Sequence, residues 1–152
     1  MKDHARVIAP PPLIYAMAFV PGWFIDRAMD VPALPGFARV ILAALFIAPG
    51  LLLAAGAFRA MRRARTTPNP YGESTAIVTD GPFRYTRNPL YLTLALFYSS
   101  LAIAMDAPLA LLVLPLALLV IHYGVITREE RYLERKFGAE YLRYKARVRR
   151  WI

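Results

Sequence analysis

Charge divides this sequence into four apolar blocks, at about residues 10–25, 37–58, 89–105 and 108–126, and that division limits the fold more than any other feature. A helix that crosses a bilayer needs roughly 20 mostly apolar residues, with a usual range of about 17 to 25. The second and fourth blocks meet that length; the first and third are marginal. Pro10, Pro11, Pro12, Pro21 and Gly22 cut the first to a usable helix of about Leu13 to Phe24, which can be tilted, kinked or re-entrant. It reads as a retained segment, because its charged start is weak and no small-x-small cleavage site leads into a soluble domain. Pro49-Gly50 predicts a bend in the second block. Asp106-Ala107 followed by Pro108 predicts a tight helical hairpin between the third and fourth, with proline at a first helical turn. The fold expected is all-α: a single-domain integral membrane bundle of about four transmembrane helices, with a cytosolic C-terminal amphipathic helical tail.

Composition and charge agree. Hydrophobic residues make up 58% of the chain and mean hydropathy is +0.40, above the roughly 45 to 50% apolar content of a globular domain, so lipid must cover part of the surface. Lysine and arginine number 19 against 10 acidic residues. In the four-span arrangement Lys2, Arg6, the arginines from Arg59 to Arg87 and the basic tail all fall on one side, leaving Arg27 and Arg39 opposite. By the positive-inside rule both termini are cytoplasmic, which suits a bacterial inner membrane. The same partition accounts for the basic residues without nucleic acid. Absent cysteine excludes disulfides, thiolate metal sites and cysteine nucleophiles. His4 and His122 form no metal-ligand spacing, His122 reading as a helix-packing residue, and no Gly-rich nucleotide loop or Gly-x-Ser-x-Gly elbow occurs. Without carboxylates strung through the spans, a pump or transporter is poorly supported.

Two polar segments carry the remaining signal. Between Met61 and Asn88 lie an apolar pair, Ile77-Val78, a turn at Asp80-Gly81-Pro82, and Phe83, Tyr85 and Tyr91 interleaved with Arg84 and Arg87. Asn88-Pro89 reads as an N-cap and first helical position, and such a helix start beside two arginines suits an anionic group. Interfacial anchoring explains the same residue types equally well. In the tail, Leu133, Phe137, Tyr141, Tyr144 and Val148 form an amphipathic stripe, which Gly138 can divide into two helices lying on the inner leaflet. Glu129 and Glu130 stand where the fourth helix leaves the membrane, either paired with Arg128, Arg131 or Arg135 or accepting hydrogen bonds from a ligand.

The run Thr66-Thr67-Pro68-Asn69-Pro70, then Ala76 to Tyr91 with Gly81-Pro82-Phe83-Arg84-Tyr85 and Arg87-Asn88-Pro89-Leu90-Tyr91, resembles a signature of the isoprenylcysteine carboxyl methyltransferase and phospholipid methyltransferase superfamily. Glu129-Glu130, Leu133, Phe137-Gly138, Glu140-Tyr141 and Tyr144 resemble its second signature, and together they cover about Thr66 to Ile152. Hydropathy alone gives the N-terminal spans over residues 10–60, and the resemblance implies a core over 66–152 that binds S-adenosyl-L-methionine at the cytosolic face. It implies that Thr75, Ala76, Ile77, Val78, Phe83, Arg87, Asn88, Pro89, Leu90, Tyr91 and Glu129 line the cofactor site. Thr75 and Asn88 stand where eukaryotic members have His, and Val125 falls where they have a substrate-contacting Arg. Arg128, one turn away, is the nearest replacement, and it joins Glu130 as a candidate catalytic residue.

The implied chemistry suits this residue inventory. In-line transfer from a sulfonium needs alignment and desolvation more than a covalent nucleophile. Phe83 and Tyr91 can face the cation, Arg87 the cofactor carboxylate, and Glu129 its amino or ribose groups. The acceptor is a hydrophobic or lipid-like carboxylate, thiol or amine; an amine also needs a base, and Glu129 and Glu130 are the obvious cytosolic ones. The alternatives are an NADPH-dependent membrane reductase and a non-enzymatic lipid-binding scaffold. Oligomeric state is left open.

Overall fold

The computed structural model describes residues 5, 7–29, 34–68, 72 and 74–152; Lys2, His4, Arg6, Asn69 and Pro70, used in the sequence reading, lie outside them. The elements are α1 (Pro11–Met29), α2 (Gly36–Arg63), a 3₁₀ turn (Gly81–Arg84), α3 (Pro89–Ala104), α4 (Pro108–Ile121), one π turn (His122–Ile126), α5 (Thr127–Phe137) and α6 (Ala139–Arg147). No strand occurs among the described residues. α2, and the continuous helix Pro108–Phe137 made of α4, the π turn and α5, are long and apolar enough to cross a membrane. Much of their apolar surface faces outward: Leu52 is 74% exposed and Leu112 72%. Patches of that kind require a lipid or protein cover.

The α3–α4 hairpin forms the centre, with α2 packed chiefly on α3 and α1 chiefly on α4. Prolines at the first turns of α3 and α4 start both helices where a missing amide costs nothing. Asp106, with φ of 53°, makes the tight turn between them. Tyr98 donates to the Ala110 carbonyl at 2.6 Å and Ser100 to the Ala43 carbonyl at 2.9 Å, so these two hydroxyls tie α3 to α4 and to α2.

α1 runs past the Leu13–Phe24 segment expected from its prolines, continuing through Pro21 to Met29. Packing against a neighbouring helix makes an interior proline tolerable, and Gly22 brings that neighbour close. A Cβ at Gly22 would lie 2.6 Å from the Cα of Ala110. One turn further on, buried Asp26 accepts hydrogen bonds from the amides of Leu109 at 3.0 Å and Ala110 at 3.1 Å. These belong to the first turn of α4, whose amides have no partner within their own helix. α2 likewise stays one helix through Pro49-Gly50, and Gly50 is the point at which Phe97 of α3 approaches.

At the polar end, α4 passes into α5 without interruption, and the π turn inserts the extra residue that re-aims the side chains beyond it. Gly138, with φ of 52°, ends α5 in a conformation that favours glycine and starts α6. The stripe expected in the tail turns inward only in part. Tyr141 is buried and Leu133 packs on the core, but Glu130 and Tyr132, which the stripe omits, are buried as well. α6 folds back onto the 3₁₀ turn, where the Tyr144 hydroxyl donates to the Phe83 carbonyl at 2.8 Å.

Candidate active site

Where the end of α2, the 66–78 loop, the 3₁₀ turn, the start of α3 and the α5–α6 pair meet, they enclose a cleft of about 910 Å³, its open mouth included. Ala76, Ile77, Val78, Phe83, Arg87, Asn88, Pro89, Leu90, Tyr91, Glu129 and Glu130 all line it. Thr75 and Arg128 do not. Thr75 is exposed and donates to the Arg65 carbonyl at 2.9 Å, tying the loop to the end of α2. Its neighbour Ser74 faces the cleft instead, and the Ser74 amide donates to the Tyr132 hydroxyl at 3.2 Å. Arg128 lies on the exposed side of α5.

The two adjacent glutamates have different surroundings, because neighbours on a helix point about 100° apart. Glu129 accepts a 2.6 Å hydrogen bond from the Tyr91 hydroxyl. Its carboxyl is deep in the protein while its side chain keeps some surface open to the cleft. Burial pushes it up to about 7; the Tyr91 hydrogen bond draws it down in part, and the like charge of Glu130 adds to the rise. Glu130 is buried and gripped by two cations. Arg150 donates from Nε to Oε1 at 3.0 Å and from Nη2 to Oε2 at 2.6 Å, the two-pronged geometry that a planar guanidinium favours. Arg87 Nη1 lies 3.3 Å from Oε1.

Arg87 is the less satisfied cation. Its side chain is only 9% exposed, yet Nε and Nη1 make no hydrogen bond among the described residues. Tyr141 accepts a hydrogen bond from it, and burial pushes the Tyr141 hydroxyl up despite that favourable contact. Asn88 occupies the N-cap position of α3 but does not cap it with its side chain. Instead Nδ2 donates to the Arg150 carbonyl at 2.8 Å, so the capping role expected for Asn88 is replaced by a tertiary one.

Sequence reasoning missed the strap that completes this wall. Arg149 to Trp151 run back beside the start of α3: the Arg87 amide donates to the Arg149 carbonyl at 3.0 Å, and the Thr86 hydroxyl to the Arg150 carbonyl at 3.2 Å. Arg150 Nη1 also reaches His122 Nε2 at 2.6 Å, while Trp151 Nε1 lies 3.3 Å from Nδ1 with the rings stacked. A neutral imidazole accepts at only one nitrogen, so the shorter Arg150 contact is its hydrogen bond and Trp151 packs on the ring. His122, expected as a helix-packing residue, is a polar anchor for the strap. Nothing in the sequence separates Arg150 from the other tail arginines, all of which also satisfy the topology rule.

A family model for phospholipid methyltransferases matches residues 38–140, which contain both cleft-forming segments up to α6. The chain belongs to the phospholipid methyltransferase family. It is also similar to an uncharacterized protein of Haemophilus influenzae, with 46% identity over 63 residues, covering 41% of this chain and 100% of that protein. No solved structure matches the chain. As a member of the phospholipid methyltransferase family it is a membrane protein and a methyltransferase for membrane, lipid-like substrates.

Proposed function

We propose that the protein uses S-adenosyl-L-methionine to methylate a hydrophobic or lipid-like acceptor at the cytosolic face of a bacterial inner membrane. In this reading the four apolar helices all span, both termini are cytoplasmic, and residues 66–152 form the cofactor-binding core within one domain. The observation that carries it is the pairing, in one cleft, of a buried cation with unused donors and a buried carboxylate: Arg87 on one side and Glu129 on the other. A cofactor with an amino-acid end presents a carboxylate and an ammonium, and these two residues match both.

S-adenosyl-L-methionine, when bound, supplies a methyl group on a sulfonium. Arg87 and the amides at the start of α3 hold the carboxylate. Glu129, oriented by Tyr91, takes the ammonium or the ribose hydroxyls. The faces of Phe83 and Tyr91 stabilise positive charge by about 0.5 to 2 kcal/mol. Ala76, Ile77, Val78 and Leu90 keep that part of the cleft apolar, which favours a step in which charge is lost. Both oxygens of Glu130 are engaged by arginines, so Glu130 orders the wall, and Glu129 is the carboxylate able to exchange a proton near neutral pH.

Calorimetric titration of the protein in lipid nanodiscs tests this reading. Saturable binding of S-adenosyl-L-methionine and its demethylated product, weakened at least about tenfold by Glu129→Ala, is expected. Binding of NADPH alone would make the protein a reductase, and no binding of either would leave a lipid-binding scaffold.

A further inference from the structure

Arg87 and Glu130 line the cleft and Arg150 meets Glu130 from the strap, and the geometry of the two cations on this one carboxylate is unequal. Arg150 takes both oxygens of Glu130 with short, aligned contacts. Arg87 stands 3.3 Å from one of those oxygens without hydrogen-bond alignment, leaving Nε and Nη1 unused although the side chain is almost wholly enclosed. A carboxylate accepts a guanidinium most strongly through two parallel bonds, and Glu130 has only one such face to offer. Were Arg150 absent, Arg87 would be the one strong partner left for Glu130. Within this trio the charge balance points the same way: two arginines and Glu130 sum to one net positive charge facing Glu129 across the cleft, whereas Arg87 and Glu130 alone sum to none.

We infer that Arg150 is a positioning residue that occupies Glu130 so that Arg87 remains available to an anionic group in the cleft. This rests on the reading that Arg87 receives the cofactor carboxylate. The main-chain part of the strap is separable from this role, because Thr86 and Asn88 hold the carbonyl oxygen of Arg150, which any substitution keeps. The other groups near the guanidinium are His122, which accepts at Nε2, and Tyr141 and Tyr123; Tyr141 also accepts from Arg87, but a neutral phenol is a weaker partner for that cation than the Glu130 carboxylate.

The test measures a ratio of affinities. S-adenosyl-L-methionine and its decarboxylated analogue differ at the group that Arg87 would hold, so the ratio of their dissociation constants reports the contacts to that carboxylate, of which Arg87 supplies the charged one. In the wild type the parent cofactor is expected to bind at least about tenfold tighter. Arg150→Gln should bring the ratio close to one by weakening the parent cofactor while leaving the analogue nearly unchanged. Arg150→Lys, which keeps a cation on Glu130, should retain most of the ratio and serves if the glutamine variant does not fold. Adding Glu130→Gln to Arg150→Gln should restore the ratio, since nothing then competes for Arg87. A wild-type ratio near one would remove the carboxylate from Arg87 and overturn this inference with it. A wild-type preference that survives Arg150→Gln, an equal loss of both ligands, or a double variant that stays at one would overturn the role of Arg150 while leaving the Arg87 contact in place.

Discussion

Glu129 and Glu130 illustrate what single residues disclose. Their position at the end of an apolar helix marks both as unusual, and the sequence offers three nearby arginines as partners. The structure gives Glu129 a phenol and gives Glu130 an arginine 20 positions away. Helical spacing identifies neighbours on one helix; it carries no information about a strap returning from the end of α6. The same limit explains Thr75, where the cleft takes Ser74 and the loop turns one residue earlier than the resemblance implies. The raised carboxyl of Glu129 has two measurable effects. Folded, it titrates at about 7 rather than 4.5, so between those values the folded chain holds a proton that the unfolded chain has released, and stability falls as pH rises through that window. Glu129→Gln should therefore raise the thermal midpoint at pH 8 by about 2 to 4 °C and change it little at pH 4. Cofactor affinity should run the other way, since only the ionised carboxylate attracts an ammonium: it should rise between pH 6 and pH 8 in the wild type and stay flat in Glu129→Gln, as read by titration calorimetry.

Helices were legible by hydropathy and their ends by proline and glycine, as the α3–α4 hairpin and the break at Gly138 show. Which helices touch was not. α1 packs on α4 rather than on its neighbour in sequence, and the contact depends on two features that look incidental in the sequence, Gly22 and Asp26. A side chain at Gly22 meets backbone atoms that cannot move aside, so Gly22→Leu should destabilise the bundle by about 1 to 3 kcal/mol. Asp26→Ala removes acceptors for two amides at the start of α4 and should cost about 0.5 to 2 kcal/mol. Thermal unfolding in detergent, followed by circular dichroism, checks both, and an unchanged midpoint in either would mean that α1 is not held at that point. The π turn had no signal at all, because an inserted residue alters helix register without altering composition. Its effect is local and chemical: it sets the direction in which Glu129 and Glu130 leave the helix.

Across the whole molecule, the apolar blocks and the distribution of arginine predict a four-span frame, and the family match agrees that the chain is a membrane protein. The four-span arrangement has a direct test in a chain with no native cysteine. Single cysteines at Thr67, in the cleft loop, and at Gly36, at the start of α2, should be labelled by an impermeant thiol reagent from opposite sides of the membrane. Labelling of both from the same side would refute the topology. The site itself was legible as a set of residues more than as a structure, because its lining comes from two contiguous motifs while its electrostatics depend on Arg150.

That dependence has a consequence for synthesis. Asn88 and Arg150 are 62 residues apart, so at about 5 to 20 residues per second a nascent chain spends roughly 3 to 12 s with the first motif translated and the strap still missing. In the reading that Arg150 occupies Glu130, a competent anion site would exist only once the chain is complete and the strap has reached the start of α3.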